Sequence, residues 1–332
     1  MFRVLRLALT VVTLVTPACA ATAGAQGVRV WLGALSPATA PTSAPAGAAF
    51  GIRFEGMRVE GGTVTLDLRY AGAPQVGLAL STSRAFGPLG NVVFDASGTL
   101  RVDGSAEARL GARGVLGPVA VRLAVAGFGP ERLLRQEALA ATDRPDLASA
   151  AFGVQAGVTW RPNRDLVLEA TPEVYFAGGV ALRGEARLRW LRALGDDELF
   201  AVALGYAPPR LATASGAGGV GLTLTRGRAP DWTFVALVGA SPAGLAVGGR
   251  VSVVEDFGPV RVSLDAAYEP FRLDLRPLRV HAAASAPAFT GGTWELAADL
   301  GSDLGVGSAW RVASGTAYAA SLGLSVPLPS GR

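Results

Sequence analysis

Lysine is absent from this chain of 332 residues; all 30 basic residues are arginine. No run of arginines forms the basic surface that a nucleic acid requires, so no nucleic-acid partner is expected. Cysteine occurs once, at Cys19, and histidine once, at His281. One thiol makes no disulfide framework, and one histidine without a cysteine cluster gives no metal-ligand spacing. Charged residues make up 17% of the chain, against roughly 25% in an average soluble domain. Past residue 27 there is also no window of the ~18 consecutive apolar residues that a membrane helix needs. If the chain crosses a bilayer, strands must do it. Hydrocarbon offers no partner for a backbone N–H or C=O, so those strands would have to close into a barrel.

Small and apolar residues are abundant. Hydrophobic residues are 50%, with 44 Gly and 21 Pro, and the mean hydropathy is +0.37. The Ala and Gly excess, with arginine as the sole basic residue, points to a G+C-rich genome more than to a binding function. The first residues read as a secretory signal: Arg3 and Arg6 are followed by a short apolar core over 7–15. Two small-residue cleavage motifs follow, Ala18-Cys19-Ala20 and Ala23-Gly24-Ala25, and the second predicts cutting before Gln26. The chain then divides into a signal peptide, 1–25, and one β domain, 26–332. Cys19 leaves with the signal. Its alternative role, lipidation, wants a leucine where Thr16 stands.

From residue 27 on, the dominant pattern has period two. Val64, Leu66, Leu68 and Tyr70 share one face of 63–70, with Asp67 and Arg69 on the other. In 180–191, Val180, Leu182, Ala186, Leu188 and Trp190 alternate with Arg183, Glu185, Arg187 and Arg189. Similar apolar stripes are Phe152/Val154/Val158/Trp160, Phe200/Val202/Leu204/Tyr206, Val220/Leu222/Leu224 and Tyr318/Leu322/Leu324/Val326. Strands are predicted to begin near residues 28, 49, 63, 75, 92, 105, 118, 151, 166, 180, 199, 220, 232, 245, 260, 273, 293 and 316. The long breaks, at 36–48, 128–150, 207–217 and 301–315, all follow odd-numbered strands and so fall at one end. One of them, 128–150, is predicted to hold a short helix over 130–141, opened by Pro130 and pairing Glu131 with Arg135.

A soluble sandwich alternates too, but here the polar faces are rich in Gly, Ala, Ser and Thr, and aromatics sit at strand ends. Tyr70, Trp160, Trp190, Tyr206 and Tyr268 close their strands, while Trp232, Trp294 and Tyr318 open theirs, as an aromatic belt at a membrane–water interface would. In pattern and topology, residues 27–326 resemble bacterial outer-membrane β-barrels of the porin-like kind. No short motif carries the resemblance. It implies an all-β fold: a single transmembrane antiparallel barrel of about 18 strands (16–20) with short periplasmic turns and longer extracellular loops. It further implies an outer-membrane location, with the lipid bilayer and the barrel-assembly machinery as partners. The function it implies is passive diffusion of small hydrophilic solutes, without cofactor or enzymatic chemistry. One feature departs from the pattern. Such barrels typically end on an aromatic residue, whereas 327–332 here reads Pro-Leu-Pro-Ser-Gly-Arg.

Within such a barrel, Arg101, Asp103, Glu107, Arg109, Arg113, Arg122, Arg183, Glu185, Arg187 and Arg189 would face the lumen. Charge there sets ion preference, and an arginine excess favours anions. Alternatively these groups pair across strands and satisfy one another. Glu131, Arg132, Arg135 and Glu137 would line a constriction if 130–141 folds inward, or lie over the rim if it does not. Gly216-Ala217-Gly218-Gly219-Val220-Gly221 matches G-x-G-x-x-G, but Leu222-Thr223-Leu224 after it reads as a strand rather than the helix a nucleotide site needs. It is read as a flexible loop leading into a strand. Ser285 shares the face of His281 at about 13 Å, too far for a catalytic pair. Two rival readings are a structural barrel that anchors envelope layers without conducting, and a soluble secreted β-solenoid or sandwich adhesin.

Overall fold

A computed structural model describes residues 26–35, 47–71, 74–87, 90–102, 106–128, 151–176, 179–207, 214–226, 229–272, 276–302 and 317–328. The segment 1–25, the stretch 130–141 with Glu131, Arg132, Arg135 and Glu137, and Asp103 lie outside the described residues, as does the side chain of Arg101.

The strands are β1 (Gly27–Leu35), β2 (Gly47–Val59), β3 (Gly62–Ala71), β4 (Pro74–Ala85), β5 (Asn91–Arg101), β6 (Ala106–Leu116), β7 (Val119–Phe128) and β8 (Ala151–Trp160). β9 (Leu166–Ala170), β10 (Glu173–Phe176), β11 (Val180–Leu194), β12 (Asp197–Ala207), β13 (Ser215–Arg226) and β14 (Ala229–Ser241) follow. The last are β15 (Gly244–Phe257), β16 (Val260–Tyr268), β17 (Leu278–Pro287), β18 (Thr293–Ser302) and β19 (Ala317–Pro327). Each strand is antiparallel to its neighbours. β1 pairs with β2 on one side and β19 on the other, so the sheet is a closed barrel with no free edge. β9 and β10 both lie between β8 and β11 and form one wall position, interrupted at Thr171 and Pro172. Pro172 has no N–H to give the ladder, which is why the strand breaks there. The barrel therefore has 18 strand positions, the number predicted, and every predicted start lies within five residues of the observed one.

The two ends differ. Connections 60–61, 86–90, 117–118, 161–165, 195–196, 227–228, 258–259 and 288–292 lie at one end, none longer than five residues. Tight turns such as those at Gly61 (φ +82°) and Gly195 (φ +82°) need the left-handed backbone that glycine supplies. At the other end the connections 72–73, 102–105, 177–179 and 242–243 are short too, but 36–46, 129–150, 208–214, 269–277 and 303–316 run to seven residues or more. Gly27 pairs with Pro327, so the first strand starts and the last one ends at the short-turn end.

The concave face is identified by its bonds. Glu185 on β11 lies 3.1 Å from Arg250 on β15, with three strands between them, and only side chains on the inside can meet in this way. On every wall position the residues in register with these are therefore lumenal, and their neighbours in sequence point outward. The outward set is aliphatic and bare: Leu32, Leu78, Leu123, Val158, Leu182, Val220, Val238, Val247, Leu296 and Leu322 are all exposed. β12 inverts this rule. Phe200 is in register with lumenal Arg189, so Phe200, Val202, Leu204 and Tyr206 point inward and are buried, while Ala201, Ala203 and Gly205 face out. Tyr206, predicted in the outer aromatic belt, is thus a lumenal residue. The predicted strand start near 273 is also corrected. Residues 269–272 and 276–277 turn inward, and β17 begins only at Leu278. β13 begins at Ser215 and takes in the whole Gly216–Gly221 stretch, which is strand rather than loop.

Candidate functional site: a lumen filled on one side

The lumenal wall has two sectors of different character. The first spans β11 to β17. Phe200, Val202 and Leu204 from β12, Val235 and Leu237 from β14, and Phe271 from the connection after β16 form a buried apolar cluster inside the barrel. Glycine makes room for the rings. A Cβ on Gly221 would stand 2.1 Å from the Phe200 ring, and one on Gly239 2.2 Å from the Phe271 ring. This is why Gly219 and Gly221 of β13 belong in the wall: their neighbours approach too closely for a side chain.

A charged strap crosses the same sector. Arg250 binds Glu185 with Nη1 at 3.1 Å and Glu269 with Nε at 2.9 Å, and Arg279 donates to the other oxygen of Glu269. Glu269 has no exposed surface. Its backbone N–H donates to the Pro277 carbonyl at 2.7 Å, and Arg279 donates to the Arg276 carbonyl at 2.6 Å. The bent connection is therefore fixed to itself as well as to the wall. Burial pushes the Glu269 carboxyl upward, but the guanidiniums of Arg279, Arg250 and Arg272 outweigh it and hold the group below the usual carboxylate range.

Most of the predicted lumenal charges in this sector have partners. Arg189 sits between Glu198 at 2.7 Å and Glu169 at 3.0 Å. Arg183 lies 4.0 Å from Glu173, which accepts from Tyr175 at 2.7 Å. Glu185 accepts from Arg187 Nε at 2.7 Å as well as from Arg250. Further along the wall, Asp67 is held between Arg53 (2.8 Å) and Arg69, and Arg29 meets Glu295. His281 bonds Asp299, directly opposite it on β18, at 2.9 Å. Sequence reading singled out Arg183, Glu185, Arg187 and Arg189 but missed Arg250, Glu269 and Arg279 as members of the same network. Alternation places Arg250 on a polar face. No sequence signal says that a residue beyond the end of β16 folds back to meet it. Among the described residues, no three His, Cys, Asp or Glu side chains converge as a metal site.

In the second sector, β3 to β8, no described residue crosses the lumen. Arg113 and Arg122 face each other directly across β6 and β7, and Arg109 lies on the same lumenal face. Among the described residues Arg113 reaches only Asp95, at 4.0 Å, with side-chain exposures of 61% and 50% for the two. Asp95 also accepts from Ser81 at 2.8 Å. Cavities of about 370 Å³ and about 530 Å³ open here, lined in part by Thr65, Ser97, Arg109, Arg113 and Arg122. Glu107 is half-buried on β6. The predicted aromatic positions also separate by end. Trp160, Trp190 and Trp294 are exposed at the short-turn end, where Trp232 donates to Glu255 at 2.5 Å. Tyr268 and Tyr318 are exposed at the opposite end, where Tyr70 stacks on Phe50 at 5.2 Å.

No family model matches the chain, and no curated protein matches it. Solved structures with a similar course include a triple mutant of the Rhodopseudomonas blastica porin, at 9% identity and a TM-score of 0.42, covering 91% of this chain and 98% of that one. A bacterial polysaccharide outer membrane secretin aligns at 11% identity and a TM-score of 0.44, over 91% and 98%. Wzi, an outer-membrane carbohydrate-binding β-barrel involved in group 1 capsule assembly in Escherichia coli, aligns at 11% and 0.48, over 94% and 86%. The architecture of this chain is a closed antiparallel β-barrel of 18 strand positions.

Proposed function

We propose that the protein is an outer-membrane barrel, exported through its 1–25 signal, that lets small hydrophilic solutes diffuse passively and favours anions. The outer surface supports the membrane part. A closed wall whose outward residues are bare Leu, Val and Phe pairs each strand position with a neighbour on both sides and presents hydrocarbon to its surroundings. The short-turn end would then face the periplasm. The observation that carries the channel part is the second sector. Arg109, Arg113 and Arg122 line its cavities, with Asp95 4.0 Å from Arg113 and Glu169 also in the lining. Guanidiniums on a narrow wet wall lower the cost of bringing in an anion and raise that of a cation. The deciding measurement is conductance of the refolded mature chain in planar bilayers under a salt gradient. Discrete steps with a reversal potential on the anion side are expected, shifting toward cations when Arg113 and Arg122 are both changed to Glu. A barrel that shows heat-modifiable migration on a denaturing gel yet gives no steps would be the anchoring barrel instead.

A further inference from the structure

Along the lumenal faces of β11, β12 and β14 to β17 lies a third cavity of about 570 Å³, with Arg183, Arg187, Arg250, Arg279, Ser252 and His281 in its lining. We propose that this cavity is a binding site for a small oxyanion, a carboxylate or a phosphate group, with Arg187 as its principal donor. The inference deepens the channel reading, on which it rests for its place in a solute path.

Three observations converge on Arg187. Its Nε is committed to Glu185 at 2.7 Å, and its guanidinium carbon lies 5.7 Å from the centroid of the Phe200 ring. These two contacts fix the plane of the group from one edge and one face. Its two terminal nitrogens make no hydrogen bond among the described residues, while the side chain keeps 40% of its surface exposed toward the cavity. A planar fork held this way and left with free N–H groups is pre-organised for a bidentate oxyanion. Charge in the surroundings points the same way. Glu185 is shared by Arg187 and Arg250, and Glu269 by Arg250 and Arg279 with Arg272 beside it. Among the described residues Arg187 therefore shares its carboxylate with Arg250, and Glu169, its cross-strand neighbour on β9, is bonded to Arg189. Arg183, on the same strand as Arg187, is paired with Glu173, while on the far wall Asp265 contributes one opposing charge and His281 turns its Nδ1 to Asp299. The apolar floor of Phe200 and Val235 excludes water from one side, which strengthens each charged contact made above it.

The test uses the full folded chain in detergent, titrated calorimetrically with inorganic phosphate, with acetate, and with glycerol as a neutral control. Saturable binding of phosphate, acetate or both is expected, and none of glycerol; the two anion arms tell which oxyanion the site prefers. Arg187→Gln is expected to weaken that binding by about tenfold, the loss of one charge-assisted fork. Arg187→Lys keeps the charge and the stem but cannot form the fork, and it too binds more weakly than the parent. Heat-modifiable migration verifies that each variant has folded. Two results overturn the proposal: no saturable anion binding by the parent, or titrations of both variants that match it. The channel reading fails separately. Anion binding lost in Arg187→Gln in a barrel without conductance removes the channel and keeps the site, whereas conductance with unchanged Arg187→Gln binding does the reverse.

Discussion

Glu269 carries a charge that burial alone would suppress. It keeps that charge because Arg250 and Arg279 donate to its two oxygens and Arg272 stands close by. Its folded pKa lies below its unfolded one, about 4.3 for a glutamate. The strap's contribution is therefore complete above that value and is lost only as acid takes the pH down through the lowered folded value. Cleavage of the segment 269–277 by an acid-active protease should stay slow at mildly acidic pH and rise steeply only below the ordinary carboxylate range. Glu269→Gln leaves those guanidiniums without their counter-charge, a change worth about 3–5 kcal/mol when a buried pair is broken. That variant should be cleaved readily at every pH, with the acid-dependent step gone. A parent profile that rises instead near neutrality would show that another group controls the strap.

Phe271 anchors the strap to the wall, and among elements it is β12, β14 and this inward connection that set the shape of the lumen. Gly239→Ala would place a Cβ 2.2 Å from the Phe271 ring. Overpacking of this kind costs about 1–3 kcal/mol, and here the ring can yield only by leaving its seat. Gly239→Ala should therefore open 269–277 to proteolysis as Glu269→Gln does, though with its acid dependence retained. Gly127→Ala, with nothing within 4 Å of the new atom, should cleave like the parent. The same elements mark where sequence reading stops. Period-two alternation located 18 strand positions because each strand has one face to bury, but alternation gives a period and not a sign. Phe200, Val202, Leu204 and Tyr206 alternate as cleanly as Phe152, Val154, Val158 and Trp160, yet the first set faces the lumen and the second faces out. What turns β12 over is a partner distant in sequence, Phe271, which gives the inward residues an apolar surface to meet. Arg183, Glu185, Arg187 and Arg189 were legible as lumenal by their alternation with Val180, Leu182 and Trp190. Their partners Arg250 and Glu269 were not, because those bonds cross three strands and a bend.

For the molecule as a whole, the proposed place in a membrane makes the outer surface a measure of the bilayer thickness it would fit. Aromatic pairs stand at both ends of the wall: Phe50 with Tyr70 and Phe152 with Phe176 at the long-loop end, and Phe86 with Phe94, Trp232 with Phe234 and Phe289 with Trp294 at the short-turn end. β8 spans the gap by itself, from Phe152 to Trp160. Eight steps of about 3.3 Å, tilted by roughly 40° as in such barrels, cover roughly 20 Å along the barrel axis. That is short of the ~25 Å apolar band usual for outer-membrane barrels and well short of the ~30 Å hydrocarbon of an average bilayer. A thick bilayer would have to thin around this protein or draw its aromatic rims into hydrocarbon, at a cost that grows with every ångström of mismatch. Refolding from urea into vesicles of dilauroyl, dimyristoyl and dioleoyl phosphatidylcholine should therefore be fastest and most complete in the thinnest, the dilauroyl lipid, as read by heat-modifiable migration. Quenching of Trp160, Trp190 and Trp294 by lipids brominated near the headgroup should exceed quenching by lipids brominated near the chain ends. Equal yields in all three lipids, or stronger quenching from the chain ends, would mean that these rings do not mark the membrane boundary and that the outward Leu and Val faces meet something other than lipid.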